Sequence, residues 1–176
     1  MQQNKMNYAQ LNFGFWNANG ICGKWDELKD FIHKNSIDVM AVSETKLSSA
    51  IKLSMIGYVI LRKDRNRHGG GVLIICKSRI AHYQLDTSTD SIESIGIKIK
   101  NGPSIFSVYA PPKTKILEQD FDKMFKTSSV IVMGDLNAHH TQWGCYGSNK
   151  NGKFICNYAI NNPVIVVDPK TPTTRH

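Results

Sequence analysis

Apolar positions along this chain recur with a period of two, then with a helical period, then with a period of two again. Leu11, Phe13 and Phe15 alternate with Asn12 and Gly14, which predicts a strand with one face in a core, ending at Trp16-Asn17-Ala18-Asn19-Gly20. Trp25, Leu28, Phe31 and Ile32 then recur at helical spacing while Asp26, Lys29 and Lys34 stay polar, which predicts a helix. Ile37 to Val42 reads as a second strand that runs out into Ser43-Glu44-Thr45.

From there the pattern is that of a sheet. Tyr58 to Leu61 and Val72 to Cys76 are apolar runs joined by a charged, glycine-rich connection from Arg62 to Gly71. Ile95, Ile97 and Ile99 alternate with Gly96, Lys98 and Lys100, which predicts one buried and one wet face. Asn101-Gly102 marks a turn, and Ile105 to Tyr109 follows as the hairpin partner until Pro111-Pro112 stops it. Leu117, Phe121, Met124 and Phe125 predict a helix of about three turns. Val130 to Met133 is the next strand, Gly152 to Ile160 a short helix, and Val164 to Val167 a last strand. Several middle strands lack intervening helices, so the expectation is α+β, with mixed or antiparallel sheets and helices outside them, rather than a pure βαβ fold.

With 176 residues, 41% of them apolar, the chain is long enough for one substantial core, and no repeat or linker divides it. The expected organisation is a flexible leader over residues 1–10 and one domain over 11–176. No apolar run approaches the roughly 20 residues that cross a bilayer, and the polar start does not read as a secretory signal, so the expectation is an intracellular protein with no membrane partner. A net charge of +8, from 22 Lys and Arg against 14 Asp and Glu, favours a polyanionic partner. Cys22, Cys76, Cys145 and Cys156 lack paired zinc spacing and read as free thiols, with Cys76 a small core residue.

The chemistry collects where strands end. Glu44 offers a hard oxygen to Mg²⁺ or is an ordinary polar residue leaving a strand; Asn17 and Asn19 orient a ligand, contribute a carbonyl or cap a turn. Asp135 and Asn137, in Gly134-Asp135-Leu136-Asn137-Ala138-His139-His140, align water and hold a phosphate oxygen, or form an Asx turn. His139 and His140 contact phosphate, move a proton, bind a transition metal or are loop histidines. Trp143 stacks beside nucleic acid or folds over the strand end. The Tyr109 phenol touches phosphate or water, or belongs to a half-buried strand tyrosine. Arg62, Lys63, Arg65, Arg67 and His68 form the densest basic stretch, suited to backbone phosphates or to solvent. Neither a G-x-S-x-G elbow nor a P-loop is present.

Taken in order, Trp16 to Gly20, Ser43-Glu44-Thr45, Arg67 to Val72, Val108-Tyr109-Ala110-Pro111-Pro112 and Gly134 to Trp143 with Gly144 resemble the endonuclease/exonuclease/phosphatase family. The nearer resemblance is to the apurinic-like endonuclease domain of insect-type non-LTR retrotransposons. It implies a DNase I-like, two-sheet β-sandwich flanked by helices, with catalytic groups at one end of the sheets. It further implies that Glu44 and Asn17, with Asn19, sit by Mg²⁺ or Mn²⁺, that Tyr109 approaches the scissile phosphate, that Asp135 aligns the attacking water and that Asn137 supports that arrangement or contacts the phosphate. The implied reaction nicks double-stranded target DNA and leaves a 3′ hydroxyl for a reverse-transcriptase domain of a longer polyprotein, in the nucleus.

Those endonucleases continue past the region matching Thr171 to His176, through another strand and a Ser-Asp-His ending. The expectation is therefore a domain without its C-terminal strands, with an exposed edge or apolar patch and with its activity in question. His176 follows Pro172-Thr173-Thr174-Arg175 and is not expected to replace the missing histidine. Two alternatives stand beside the endonuclease: a noncatalytic nucleic-acid-binding remnant, and a phosphatase or phosphodiesterase acting on small substrates.

Overall fold

The computed structural model describes residues 11–65, 69–126 and 129–168. The expected leader, Arg67, His68 and His176 lie outside the described residues. The chain divides into two compact units, Met1–Asp135 and Leu136–His176.

The first unit contains two four-stranded mixed sheets. One is built from β1 (Phe13–Asn17), β2 (Val39–Ser43), β3 (Tyr58–Lys63) and β4 (Val72–Lys77), in the order β1-β2-β4-β3. The other is built from β5 (His82–Leu85), β6 (Glu93–Ile99), β7 (Ser104–Tyr109) and β8 (Val130–Asp135), in sequence order. The edge strands β1 and β8 run parallel to β2 and β7, and the other pairings are antiparallel. Between the sheets lies one core, in which Val39, Val72, Ile74 and Cys76 meet Ile95, Ile97, Ile99, Ile105 and Tyr109. Ser107 Oγ donates to Val42 O across this interface at 3.2 Å.

A second core covers the other face of the first sheet. Met40, Val42, Leu73 and Ile75 pack there with Leu28 and Ile32 of α1 (Trp25–Lys34). Because β2 and β4 are covered on both faces, they read as unbroken apolar runs rather than alternations. Burying each such Ile, Leu or Val contributes about 1.5–3 kcal/mol. Phe31, an expected member of the buried helical stripe, is instead 50% exposed, and the stripe runs through Trp25, Leu28 and Ile32.

β6 also departs from expectation. Its supposed wet face is only partly wet: Gly96 is buried and Lys98 half-exposed, while Lys100, just past the strand, is exposed. Gly96 is the seat of the Phe106 ring, which a Cβ there would meet at 2.6 Å. α2 (Glu118–Met124) is two turns rather than three, because Leu117 and Phe125 are its caps. Its fully buried Asp120 accepts from Asp90 N and Ser91 N, both at 2.8 Å, and from Ser91 Oγ at 2.5 Å, which ties the helix to the segment entering β6. The strand β5 carried no periodic signal and was not expected.

β1 begins two residues later than the alternation implied and carries through Trp16 to Asn17. Its Phe15 is 40% exposed, and every residue of β8 is only half-buried while all of β7 is buried. β1 and β8 are thus less buried than the strands they pair with.

The second unit consists of the segment after Asp135, a 3₁₀ turn at Thr141–Trp143 and α3 (Lys150–Asn161). Asn149 N-caps α3 by accepting from Gly152 N at 2.8 Å, and also holds Asn137 O and His139 N. Gly152 lets the helix approach the His139 backbone so closely that a Cβ would overlap the His139 carbonyl. The expected strand Val164 to Val167 is not one: residues 164–168 are irregular, and Ile165 and Val167 are almost fully exposed. No described helix is long and apolar enough to cross a membrane.

Candidate active site

The inward-facing positions of four strands change from apolar to polar at one end of the sandwich. Along β1 the face that carries Phe13 and Phe15 ends in Asn17; along β7 Ile105 and Ser107 lead to Tyr109; along β8 Ile131 and Met133 lead to Asp135. β6 runs the other way, so stepping back from Ile99, Ile97 and Ile95 reaches Glu93 at the same end. Register fixes the match, with Asn17 opposite Ser43, Tyr109 opposite Asp135, and Glu93 opposite Tyr109. The period of two that builds the core therefore also delivers the polar groups.

Asn17 is the centre of the arrangement. Its Nδ2 donates to Glu44 Oε1 at 3.1 Å and to Asp135 Oδ2 at 2.7 Å, joining residues from both sheets. Its Oδ1 accepts from the Asn19 backbone N–H at 3.1 Å, which fixes the amide orientation through the network. Glu44 follows β2 in a left-handed conformation, φ +51°, that turns its side chain out of the strand direction. Tyr109 hydrogen-bonds the Glu44 carboxylate. Burial, then that bond and the nearby charges of Glu44, Asp135 and Glu93, push its phenol well above the ordinary range, so it donates at neutral pH. Ser43 Oγ and Thr45 Oγ1, on either side of Glu44, are buried without a hydrogen-bond partner.

Glu44 and Asp135 both accept from one neutral amide nitrogen, so two carboxylates meet at this point. Their donors are hard oxygens, so the set fits Mg²⁺ or Mn²⁺. Among the described residues no group of three or more His, Cys, Asp and Glu could hold a metal. The fit is to an ion that takes few protein ligands and keeps its waters.

The structure brings together Asn17, Glu44, Tyr109 and Asp135. Asn19 takes part through its backbone, while its side-chain oxygen accepts from Lys46 Nζ. Arg62 is turned to internal use: its guanidinium donates to Ile51 O at 2.7 Å, Ser48 O at 2.8 Å and Asp64 Oδ2 at 2.7 Å. Lys63 is exposed. Arg65 is exposed too, and pairs with Glu93 at 3.3 Å beside an open cleft of about 330 Å³ lined also by Lys63, Asp64 and Pro111.

The other candidates belong to the second unit. Asn137 has φ +46° and its carbonyl accepts from Asn149 Nδ2 at 2.8 Å. His139 is exposed, with its backbone held by Asn149. His140 caps the 3₁₀ turn by accepting from Gln142 N at Nδ1, 3.2 Å, and its ring lies 5.0 Å from that of Trp143. Trp143 is half-buried, beside a small cavity that Cys156 and Ile160 also line.

Sequence reasoning missed Lys46 and Glu93. Lys46 had no signal beyond following Thr45. Glu93 had one: extending the Ile99, Ile97, Ile95 alternation by one step puts a carboxylate at a core-facing position.

A family model described as "Endonuclease-reverse transcriptase" matches residues 104–176. The chain is 30% identical over 167 residues to a probable RNA-directed DNA polymerase from transposon X-element of Drosophila melanogaster, covering 90% of this chain and 18% of that protein. It is 30% identical over 177 residues to the RNA-directed DNA polymerase from mobile element jockey of the same organism, covering 96% of this chain and 19% of the relative. The chain thus spans about a fifth of the length of these relatives. Among solved structures, the endonuclease domain of TRAS1, a telomere-specific non-LTR retrotransposon, superposes with a TM-score of 0.65 at 16% identity, over 84% of this chain and 70% of that one. An AP endonuclease from Archaeoglobus fulgidus superposes with a TM-score of 0.52 at 19% identity, over 75% and 62%. These likenesses establish the DNase I-like fold. These comparisons place the chain in the endonuclease/exonuclease/phosphatase family, as a domain related to the non-LTR retrotransposon endonucleases.

Proposed function

We propose that this chain hydrolyses a phosphodiester bond of double-stranded DNA in a divalent-metal-dependent reaction, nicking one strand and leaving a 3′ hydroxyl. The observation that carries this reading is the Asn17 amide held between Glu44 and Asp135. Glu44 would hold the ion, with Asn17, steadied by Asn19, tying that carboxylate to Asp135. Members of the family are often metal-dependent. Bound there, the ion supplies neutralisation of phosphate charge and stabilisation of the leaving oxygen.

Asp135 aligns the attacking water and takes its proton as the new bond to phosphorus forms. The bond from phosphorus to the 3′ oxygen breaks, and that oxygen takes up a proton to give the hydroxyl. Tyr109, kept protonated by its surroundings, donates to a phosphate oxygen. Asn137 supports Asp135 or the phosphate. Lys63 and Arg65, with His139, His140 and Trp143, contact the DNA backbone or a base. The 3′ end primes synthesis by a reverse-transcriptase domain of a longer protein, in the nucleus where target DNA lies.

The test is nicking of supercoiled plasmid and duplex oligonucleotides by the purified chain. Mg²⁺-dependent nicks that a DNA polymerase extends without prior end repair are expected, with loss on Glu44→Ala or Asp135→Ala. A folded chain that produces no metal-dependent nick at excess protein over DNA rejects the reading.

A further inference from the structure

We infer that Glu93 is a positioning residue that holds Glu44 in place through the turn at Gly70 and Gly71. The chain of contacts is short and continuous. Glu93 Oε2 accepts from Gly71 N at 2.5 Å. The carbonyls of Gly70 and Gly71 in turn accept from Lys46 N at 2.9 Å and Thr45 N at 3.2 Å, the two amides that directly follow Glu44. Glu44 stands at φ +51° and Lys46 at φ +52°, in a backbone region that side-chain-bearing residues avoid, so this segment needs external support to keep its shape.

The turn is built to receive the carboxylate. Gly70 and Gly71 have φ +72° and +87°, and a Cβ on Gly70 would lie 2.5 Å from Glu93 Oε1 and 2.8 Å from Oε2. Glycine is thus required there twice, by conformation and by close approach. Arg65 Nε stands 3.3 Å from Oε1, an ion pair on the cleft side that leaves this buried oxygen without a hydrogen bond. Glu93 itself is fixed by its place opposite Tyr109 in the β6–β7 register, which sets the two side chains on one face. One strand pair therefore addresses Glu44 from two directions: Tyr109 bonds its carboxylate directly, and Glu93 fixes its backbone through the turn. The glycine-rich connection serves this packing.

The positional claim stands on geometry alone, whereas its consequence for metal binding rests on the function proposed above. The experiment separates them. Amide hydrogen exchange is measured by NMR on the full chain, with β4 amides as internal reference. Glu93→Ala is expected to speed exchange at Thr45 and Lys46 by roughly tenfold, the scale of one lost hydrogen bond. Glu93→Gln keeps an acceptor oxygen and is expected to restore protection. Should Glu93→Ala not fold, Gly70→Ala displaces the turn from the other side and is expected to speed the same amides. Unchanged exchange in a folded Glu93→Ala or Gly70→Ala chain, or a Glu93→Gln chain as fast as Glu93→Ala, overturns the inference. Mn²⁺ titration by calorimetry on the same proteins is expected to show roughly tenfold weaker binding in Glu93→Ala, matching that lost bond. Equal affinity in both overturns the link from the turn to the metal, whereas absent Mn²⁺ binding in the unsubstituted chain counts against the proposed function and leaves the exchange result to decide Glu93.

Discussion

The two ends of the β-sandwich treat their carboxylates in opposite ways. At the end where β2 begins, Asp38 is almost fully buried and completely answered: Asn12 N donates to it at 2.9 Å, Lys77 Nζ lies 2.9 Å away and Arg79 3.2 Å. At the end where β2 finishes, Glu44 and Asp135 converge on the neutral amide of Asn17, and Glu44 makes no ion pair among the described residues. The first end uses its carboxylate to tie β1, β2 and β4 together. The second sets two carboxylates around a neutral amide rather than around cationic side chains, a favourable setting for a cation from solution. Residue type does not distinguish structural from chemical acids here; the sign of the neighbours does.

The largest effect that would sharpen this contrast is on catalysis. Asp135→Asn and Glu44→Gln are each expected to lower the nicking rate by at least roughly 100-fold, the usual scale for a lost general base or charge-stabilising group. Both are expected to leave the melting temperature unchanged or raised, because each relieves crowded negative charge. A marked loss of thermal stability in either would make the two ends alike and break the comparison.

Asp38→Ala should do the reverse. Removing it strands Lys77 and frees the Asn12 N–H, and because Lys77 and Arg79 keep some solvent the loss is set at about 2–3 kcal/mol, below that of a fully buried pair. Urea titration measures it, and nicking per folded molecule is expected to be retained.

A smaller loss is expected from Asn149→Ala in the second unit. The cap of α3 disappears together with the bonds to Asn137 O and His139 N, for about 1–2 kcal/mol, readable as a lower urea midpoint.

The smallest effect is on pH dependence. Burial pushes the Asp38 carboxyl up, but the Asn12 N–H, Lys77 and Arg79 more than reverse it, leaving it below its ordinary 3.8. The unfolded chain therefore binds this proton more readily than the folded one. The stabilisation is complete above the ordinary value and is lost as pH falls from about there through the lower folded value. Acid unfolding of Asp38→Asn should accordingly show a shallower slope below pH about 4 than the parent chain. Equal slopes would mean that Asp38 is not the acid-sensitive support of its end.

Much of this was legible in order along the chain because one rule, the period of two, writes both core and site. Asn17 and Asp135 each take the next same-face position after an apolar pair, Tyr109 follows Ile105 and Ser107 on its face, and Glu44 immediately follows a buried strand. What alternation does not carry was missed. Gly96 read as part of a wet face because the covering Phe106 ring comes from the neighbouring strand. Val164 to Val167 has the composition of a strand, but β propensity needs a pairing partner, and among the described residues none is present. Arg62 read as a phosphate ligand because charge says nothing of direction, and its guanidinium closes on the carbonyls of Ser48 and Ile51. His140 carried several readings at once, from phosphate contact to loop histidine, and the sequence held no sign that its Nδ1 accepts from Gln142 N.

The left-handed backbone at Glu44 and Lys46 sets folding and chemistry against each other. Each residue costs about 1–2 kcal/mol there relative to glycine, which occupies that region freely. A library of this chain selected for folding alone will therefore enrich glycine at both positions and discard the carboxylate. Retention of glutamate at position 44 under mutational drift is a record of selection for something other than stability, and its replacement by glycine dates the moment at which that selection stopped.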